Sequence, residues 1–331
     1  MKNRQWLYAK PPAGKIGKDT FQWVETAIPA PREGEVLVRT RLLSLDAANR
    51  AWMMGKTYRD ALQPGQVMSG FVVGEVVESR AKGFAKGDIV EGDCGWQDYA
   101  VLPAAQLTRR TISAPLELLI GPLSVTGLTA YFGLLEVGRP LPGDTVLVSA
   151  AAGAVGTMVG QIAKLAGCRV IGTAGGQDKC DWLVRELGFD AAIDYKAGGV
   201  FRALRAAAPN GIDVYFDNTG GAVLDAALGL MNLRGRIACC GNISQYDVDK
   251  PGPGPMAVPG LVAAKRLRME GFIVLDFFER RAEAEARLAR WIADGKIKAE
   301  LDIFDGLERA PEALIGMFEG NNRGKRAVRV S

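Results

Sequence analysis

From residue 1 to about 118 the hydrophobic positions come in short runs with frequent breaks. EVLVRTRLLSLD (35–46) and GFVVGEVVES (70–79) are rich in Val and Leu, and FAKGDIVEG (84–92) and WQDYAVLP (96–103) follow between Gly and Pro. Such runs predict strands joined by turns, so this part of the chain is expected to be mostly β. Beyond about Pro122 the rhythm changes to strand-length apolar runs alternating with helical periodicity. TVLVSA (145–150) precedes GTMVGQIAKLAG, RVIGTA (169–174) precedes DKCDWLVRELG, and AAIDY (191–195) precedes VFRALRAAA. IDVYFDN (212–218) precedes AVLDAALGLMN, RIACCG (236–241) follows, and GFIVLDF (271–277) precedes RRAEAEARLARWIADG. Six strands with intervening helices predict a parallel, doubly wound α/β sheet. A loop dense in Pro and Gly spans Pro251 to Gly260; it reads equally as a stiff connector and as a site wall or subunit contact. A further helix is expected near 310–318, and a terminal strand at RAVRV (326–330).

Length makes two domains the natural division of the 331 residues. Charge is nearly balanced, 41 Lys and Arg against 37 Asp and Glu, with both signs interspersed, so nucleic acid is not the expected partner. The chain contains no His, which excludes Ser-His-Asp, Cys-His and zinc-His mechanisms together. The five cysteines form no C-x-x-C pair, so neither a disulfide framework nor a four-cysteine metal site is expected, and no metal is assigned. Two uncharged stretches, 118–135 and 145–163, approach membrane-span length, but both are interrupted by small or polar residues. With no signal-like apolar segment at the start, a cytoplasmic protein without membrane partners is expected.

The strand at 145–148 runs into SAAAGAVGTMVGQIAK, whose register Ala151-x-Gly153-x-x-Gly156 is a dinucleotide fingerprint with Ala in place of its first Gly. Small residues let the backbone turn sharply and approach a pyrophosphate, and the following helix offers free N–H groups to it. Gly153, Ala154, Val155 and Gly156 are therefore candidate pyrophosphate ligands. NAD sites place an acid at the tip of the second strand, whereas RVIGTA ends in Gly175 and Gly176, followed by Asp178 and Lys179. A small tip with a nearby Lys suits the 2′-phosphate of NADP(H), and Tyr195 after the third strand could stack on it or bond to it. A solvated Lys179 remains the plain alternative, and Asp178 argues against the phosphate.

On SLDAANRAWM, QVMSGFVVGEVVES, GDIVEGDCGWQDYAV, GLTAYFGLLEVG, VSAAAGAVGTMVGQIAK, VYFDNTGG, GRIACCGNISQY and GNNRGK, the chain resembles the zinc-independent branch of the medium-chain dehydrogenase/reductase superfamily. Within it, the resemblance is to the alkenal or 2-enone reductases, which include prostaglandin, plant double-bond and bacterial curcumin reductases. It implies a GroES-like β domain (1–118 plus 300–331) and a Rossmann NADP-binding domain (119–299). It further implies that Asn218, the stretch Cys240 to Tyr246 with Gly241 and Ile243, Phe272, Ile273 and Val274, and Asn322 line the ribose and nicotinamide. Each has a plainer reading: Asn218 as a helix cap, Phe272–Val274 as the sixth strand, Asn322 as a turn residue. A homodimer formed through the sixth strand and the Pro-rich loop is also implied.

Reduction of a polarised C=C needs a hydride, a donor for the oxygen that gains charge, and a proton for the α-carbon. Without His or metal the donor can be a tyrosine hydroxyl, the cofactor ribose or backbone N–H. Tyr246, just beyond the fifth strand, resembles a substrate-contacting Tyr of the family, and Tyr58 falls near a second one. The family's D-P-Y-M-R is replaced here by Asp46-Ala47-Ala48-Asn49-Arg50, which alters a pocket wall. The resulting expectation is NADPH-dependent reduction of α,β-unsaturated aldehydes or ketones. Quinone or carbonyl reduction on the same scaffold, or a non-catalytic NADP-binding sensor, are the alternatives.

Overall fold

The computed structural model describes residues 2–250 and 252–330, which form two compact units. One comprises residues 1–120, 301–321 and 326–331; the other comprises 121–300 and 322–325.

The first unit is built on strands β1 (Lys2–Tyr8), β2 (Phe21–Ala27), β3 (Glu35–Ser44), β4 (Phe71–Ser79), β5 (Ile89–Asp93), β6 (Tyr99–Pro103) and β7 (Thr108–Arg109). Strands β14 (Leu301–Asp305) and β15 (Lys325–Arg329) complete it. β1 and β2 pair antiparallel, and the larger sheet runs β14-β15-β3-β4-β5-β7, with β6 on β3. β3 is buried along most of its length because partners on both sides and a packed core leave it no wet face. That core gathers Tyr8, Val38, Leu43, Val72 and Trp96 with Leu307 and Leu314. Leu314 comes from the helix Ala310–Phe318 at its expected place. A helix absent from the strand-rich pattern, α1 (Ala47–Met54), interrupts the sheet. It forms because Asn49 Oδ1 accepts the Asp46 N–H at 2.8 Å, closing the first turn, and Asn49 Nδ2 donates to the Ser69 carbonyl at 2.9 Å. The substituted D-A-A-N-R stretch is thus a capped, buried helix start.

The second unit holds β8 (Thr145–Val148), β9 (Arg169–Ala174), β10 (Ala191–Asp194), β11 (Ile212–Asp217), β12 (Met231–Cys239) and β13 (Arg268–Gly271) in the order β10-β9-β8-β11-β12-β13. All pairs are parallel. Helices Ala154–Leu165, Gln177–Leu187, Val200–Ala207 and Gly221–Leu230 supply the crossovers. The order reverses between β8 and β11, so their carboxyl ends flank the crevice where such sheets bind ligands.

The sixth strand lies earlier than GFIVLDF suggests. β13 is Arg268–Gly271, and Phe272–Val274 follow it, because Asp276 Oδ2 accepts the Ile273 N–H at 3.2 Å and turns the chain into a 3₁₀ segment from Val274. The Pro-rich stretch is also shorter than expected: a helix, Val258–Lys265, begins within it with Pro in its first turn. Pro251, where that stretch starts, lies outside the described residues. Of the two uncharged stretches, 118–135 divides among two helices and a π-helical turn, and 145–163 divides between β8 and a helix. No helix among the described residues is long and apolar enough to cross a membrane.

Candidate active site

At the end of β8 the chain turns through Ala150, which is left-handed at φ 46°, into Gly153 at the N-cap of the helix Ala154–Leu165. The turn is pinned on two sides: Ala151 N–H donates to the Thr173 carbonyl of β9 at 2.9 Å, and Gly324 N–H to the Ala152 carbonyl at 2.8 Å. Gly156 has no room for a side chain, since a Cβ there would lie 2.3 Å from the Ala150 oxygen and 2.7 Å from Ala151 Cα. The fingerprint residues Gly153 to Gly156 therefore form a tight, small-residue helix start, in which the Gly153 N–H closes the turn on the Ala150 carbonyl at 2.9 Å and the first-turn N–H groups of the helix that follows fit a pyrophosphate.

At the tip of β9, Gly175 is crowded by side-chain ends rather than by backbone. A Cβ would meet Lys196 Cε at 2.8 Å and the Tyr195 hydroxyl at 3.1 Å, so Tyr195 lies against the strand tip. Lys179 Nζ reaches the Asn322 carbonyl at 2.6 Å, bringing the GNNRGK segment beside the same tip. Its neighbour Arg323 pairs with Asp178 at 2.7 Å, a contact the sequence pattern did not signal.

Across the crevice, β11 ends in Asp217, which is 2% exposed. One of its oxygens accepts from Tyr215 OH at 2.7 Å, Gly220 N–H at 2.8 Å, Thr219 N–H at 2.9 Å and Ser149 Oγ at 3.2 Å. Burial and the Asp217 charge push the Tyr215 hydroxyl far above the usual tyrosine range, so it stays a donor. Asn218 is held by this network: its backbone N–H donates to Ser149 Oγ at 2.9 Å and its Nδ2 to the Ser149 carbonyl at 2.7 Å. The Asn218 side chain thus fixes the end of β8 against β11. Asp217 and Ser149, which hold the Asn218 loop in place, escape motif reading, their only signal being a carboxylate at an otherwise apolar strand end.

The segment after β12 wraps onto the same loop. Cys240 and Gly241 donate to the Asp217 carbonyl at 2.8 and 3.1 Å, and Ile243 to the Asn218 carbonyl at 3.2 Å. Desolvation pushes the Cys240 thiol up to about 12, so it is no nucleophile at neutral pH. Tyr246 OH accepts the Asn242 N–H at 3.2 Å and lies 3.8 Å from where a Gly241 Cβ would be, which leaves its hydroxyl proton available beside that segment. Phe272 is packed inward, edge-on to Phe216 with ring centroids 6.1 Å apart and against Gly133, and both polar backbone groups of Ile273 bond to Asp276. Val274 is buried.

Tyr58 belongs to the β unit. It is exposed, and its hydroxyl accepts from Trp52 Nε1 at 3.2 Å. Desolvation raises its pKa above the usual tyrosine value while the Trp52 bond opposes the shift. Arg59 lies over the Trp52 ring at 4.5 Å and bonds Asp93 at 2.5 Å, which anchors the loop carrying Tyr58. Among the described residues no group of three or more Cys, Asp or Glu could hold a metal ion.

Residues 4–109 match the family model for the N-terminal domain of oxidoreductases, and 154–294 match the one named zinc-binding dehydrogenase. The chain is 41% identical to the NADPH-dependent curcumin reductase of Escherichia coli, over 100% of this chain and 97% of that one. It is also 41% identical to mouse prostaglandin reductase 1, over 98% of each. It belongs to the zinc-independent medium-chain dehydrogenase/reductases, with the curcumin, prostaglandin and alkenal reductases. The fold of that family, a GroES-like β domain with a Rossmann domain, is the one described above. The crystal structure of CurA from Vibrio vulnificus in complex with NADPH superposes with a TM-score of 0.94, at 41% identity and 99% coverage of both chains.

Proposed function

We propose that this medium-chain reductase saturates the C=C bond of α,β-unsaturated aldehydes and ketones with NADPH. The carrying observation is the pairing of a phosphate-fitting turn, closed to any side chain at Gly156, with a strand tip flanked by Lys179 and Tyr195. NADPH supplies the hydride. Gly153, Ala154, Val155 and Gly156 hold its pyrophosphate, and Lys179 and Tyr195 its 2′-phosphate. The Lys179 ammonium would exchange the Asn322 carbonyl for phosphate oxygens, a stronger charge-assisted pairing.

The Asp217 network presents the loop at Asn218 and the segment Cys240–Gly241–Ile243 to the ribose and nicotinamide. Phe272, Ile273 and Val274 form the wall behind them, and Asn322 lines the ribose and nicotinamide with them. Tyr246 donates its free hydroxyl proton to the substrate oxygen as charge builds there, which favours the transition state over the ground state. Tyr58 is carried over from the resemblance as a second substrate-contacting tyrosine. The β domain at 1–118 plus 300–331 is read as the substrate domain and 119–299 as the cofactor domain, with the exception of 322–325, which group with the parallel-sheet unit.

Purified protein given NADPH and a simple enone should yield the saturated ketone, identified by mass and NMR. Tyr246→Phe should lower kcat about 10- to 100-fold with the NADPH KM unchanged, the size expected for one lost oxyanion donor. An allylic alcohol or hydroquinone as product would instead assign carbonyl or quinone reduction, and tight NADPH binding without turnover would assign a sensor.

A homodimer through β13 is part of this reading. That strand ends the sheet order, leaving its outer edge unpaired among the described residues, and an open edge invites pairing. Sedimentation should give twice the monomer mass; a monomer at all concentrations would refute it. The five free cysteines favour a reducing compartment, so the reading places the protein in the cytoplasm.

A further inference from the structure

Two carboxylates stand at the tip of β9: Asp194, whose Oδ1 accepts the Gly176 and Lys196 N–H groups at 2.9 Å, and Asp178, in the first turn of the helix Gln177–Leu187. Asp178 Oδ1 lies 2.8 Å from where a Gly176 Cβ would be, so the acid folds back over the strand-tip turn. Left alone there, it would repel a 2′-phosphate and accept a hydrogen bond from a ribose 2′-hydroxyl, as acids do in NAD sites. It is not left alone. Arg323 Nη2 donates to Asp178 Oδ2 at 2.7 Å, while its guanidinium carbon lies 5.7 Å from the centroid of the Trp182 ring. Arg323 is followed by Gly324, which bonds the phosphate-binding turn, and preceded by Asn322, which receives Lys179. The arginine is therefore delivered to the acid by a segment tied at both neighbouring positions.

We propose that Arg323 determines cofactor preference by masking Asp178. With the pair formed, Asp178 is matched by Arg323 and Asp194 is engaged by the Gly176 and Lys196 N–H groups, so the strand tip presents the cations Lys179 and Lys196 and suits a phosphate. With Arg323 removed, a carboxylate faces the 2′ position and the site turns toward the unphosphorylated cofactor. The Arg323 bond also holds the Asp178 carboxyl below the usual carboxylate range, so the acid stays ionised and the pair stays charged at neutral pH. The inference rests on the placement of the 2′-phosphate at Lys179 and Tyr195.

Both partners are substantially exposed, with side chains 46% and 69% accessible, so their removal should leave the melting temperature unchanged. Calorimetric titration with 2′,5′-ADP and with 5′-AMP reads the site without turnover. Arg323→Leu should weaken 2′,5′-ADP about tenfold and leave 5′-AMP level or slightly tighter. Adding Asp178→Asn to Arg323→Leu should restore 2′,5′-ADP to within about threefold, because the acid to be masked is gone. An unchanged ratio of the two ligands in Arg323→Leu, or a double variant as weak as the single one, would overturn the masking role. Lys179→Ala separates the two readings. If it weakens 2′,5′-ADP while Arg323→Leu does not, only the masking fails. If Lys179→Ala also leaves the ratio unchanged, the phosphate placement fails with it.

Discussion

The two edges of the parallel sheet solve the same problem, reversing the chain between strand and helix, with opposite residues. Four non-glycine residues have positive φ among the described residues, and three of them, Arg139, Arg234 and Arg266, line one groove of about 540 Å³ at the amino edge. There a left-handed backbone carries long charged side chains. At the carboxyl edge Gly156 has no positive φ, yet its Cβ would strike backbone at 2.3 Å. Gly143, on the amino side, shows the reverse: φ is +90° and nothing lies within 4 Å of a Cβ. Gly143 is thus needed for conformation alone, at a cost other residues can bear, about 1–2 kcal/mol. Gly156 is needed for space, which no conformational change supplies.

The comparison predicts that carboxyl-edge substitutions act on stability and cofactor binding together. The largest effect is expected for Asp217→Ala, which leaves Tyr215 OH, Ser149 Oγ and two N–H groups without their acceptor. At roughly 1–3 kcal/mol for a buried unsatisfied donor, a loss of at least about 3 kcal/mol in denaturant unfolding should be seen. Asp217→Asn keeps an acceptor and should cost less than half as much. Equal losses in the two would mean that the charge rather than the bonding holds the loop. Next comes Gly156→Ala, which adds only the clashing atom: about 1–3 kcal/mol of stability and at least tenfold in NADPH affinity by fluorescence titration. Unchanged affinity would show that the turn relaxes and that the close approach is not what binds phosphate.

The carboxyl edge was legible in the sequence where the signal was local. Gly153 and Gly156 announce themselves by spacing, and the crossovers by period. What was not legible is carried by pairs distant in sequence. Ser149 and Asp217 are 68 residues apart and Asp178 and Arg323 145 apart, so no window of sequence contains either bond. The sixth strand was misplaced for a different reason. RMEG, at the sheet edge, is half exposed and charged, while the neighbouring FIV is apolar and its Phe is buried because it fills space beside Gly133. Hydrophobicity there reports packing between elements rather than strand membership. Likewise α1 owes its start to Asn49, whose capping and long-range bonds are invisible to hydrophobic period.

The smallest predicted effect tests the amino edge. Arg139 closes the π-helical turn Gly133–Gly138 in a left-handed conformation, where its Nε donates to the Glu136 carbonyl at 2.8 Å. Arg139→Gly would relieve the left-handed strain and lose that exposed hydrogen bond, and it would add backbone freedom to the unfolded chain. These terms nearly cancel, so stability should change by no more than about 1 kcal/mol, with a rise of a degree or two in Tm as the expected outcome. NADPH affinity and turnover should be untouched, because the residue stands at the opposite end of the strands from the phosphate-binding turn. A fall in Tm of several degrees would mean that the arginine is held there by interactions worth more than the strain, and the amino edge would then tolerate substitution no better than the carboxyl edge does.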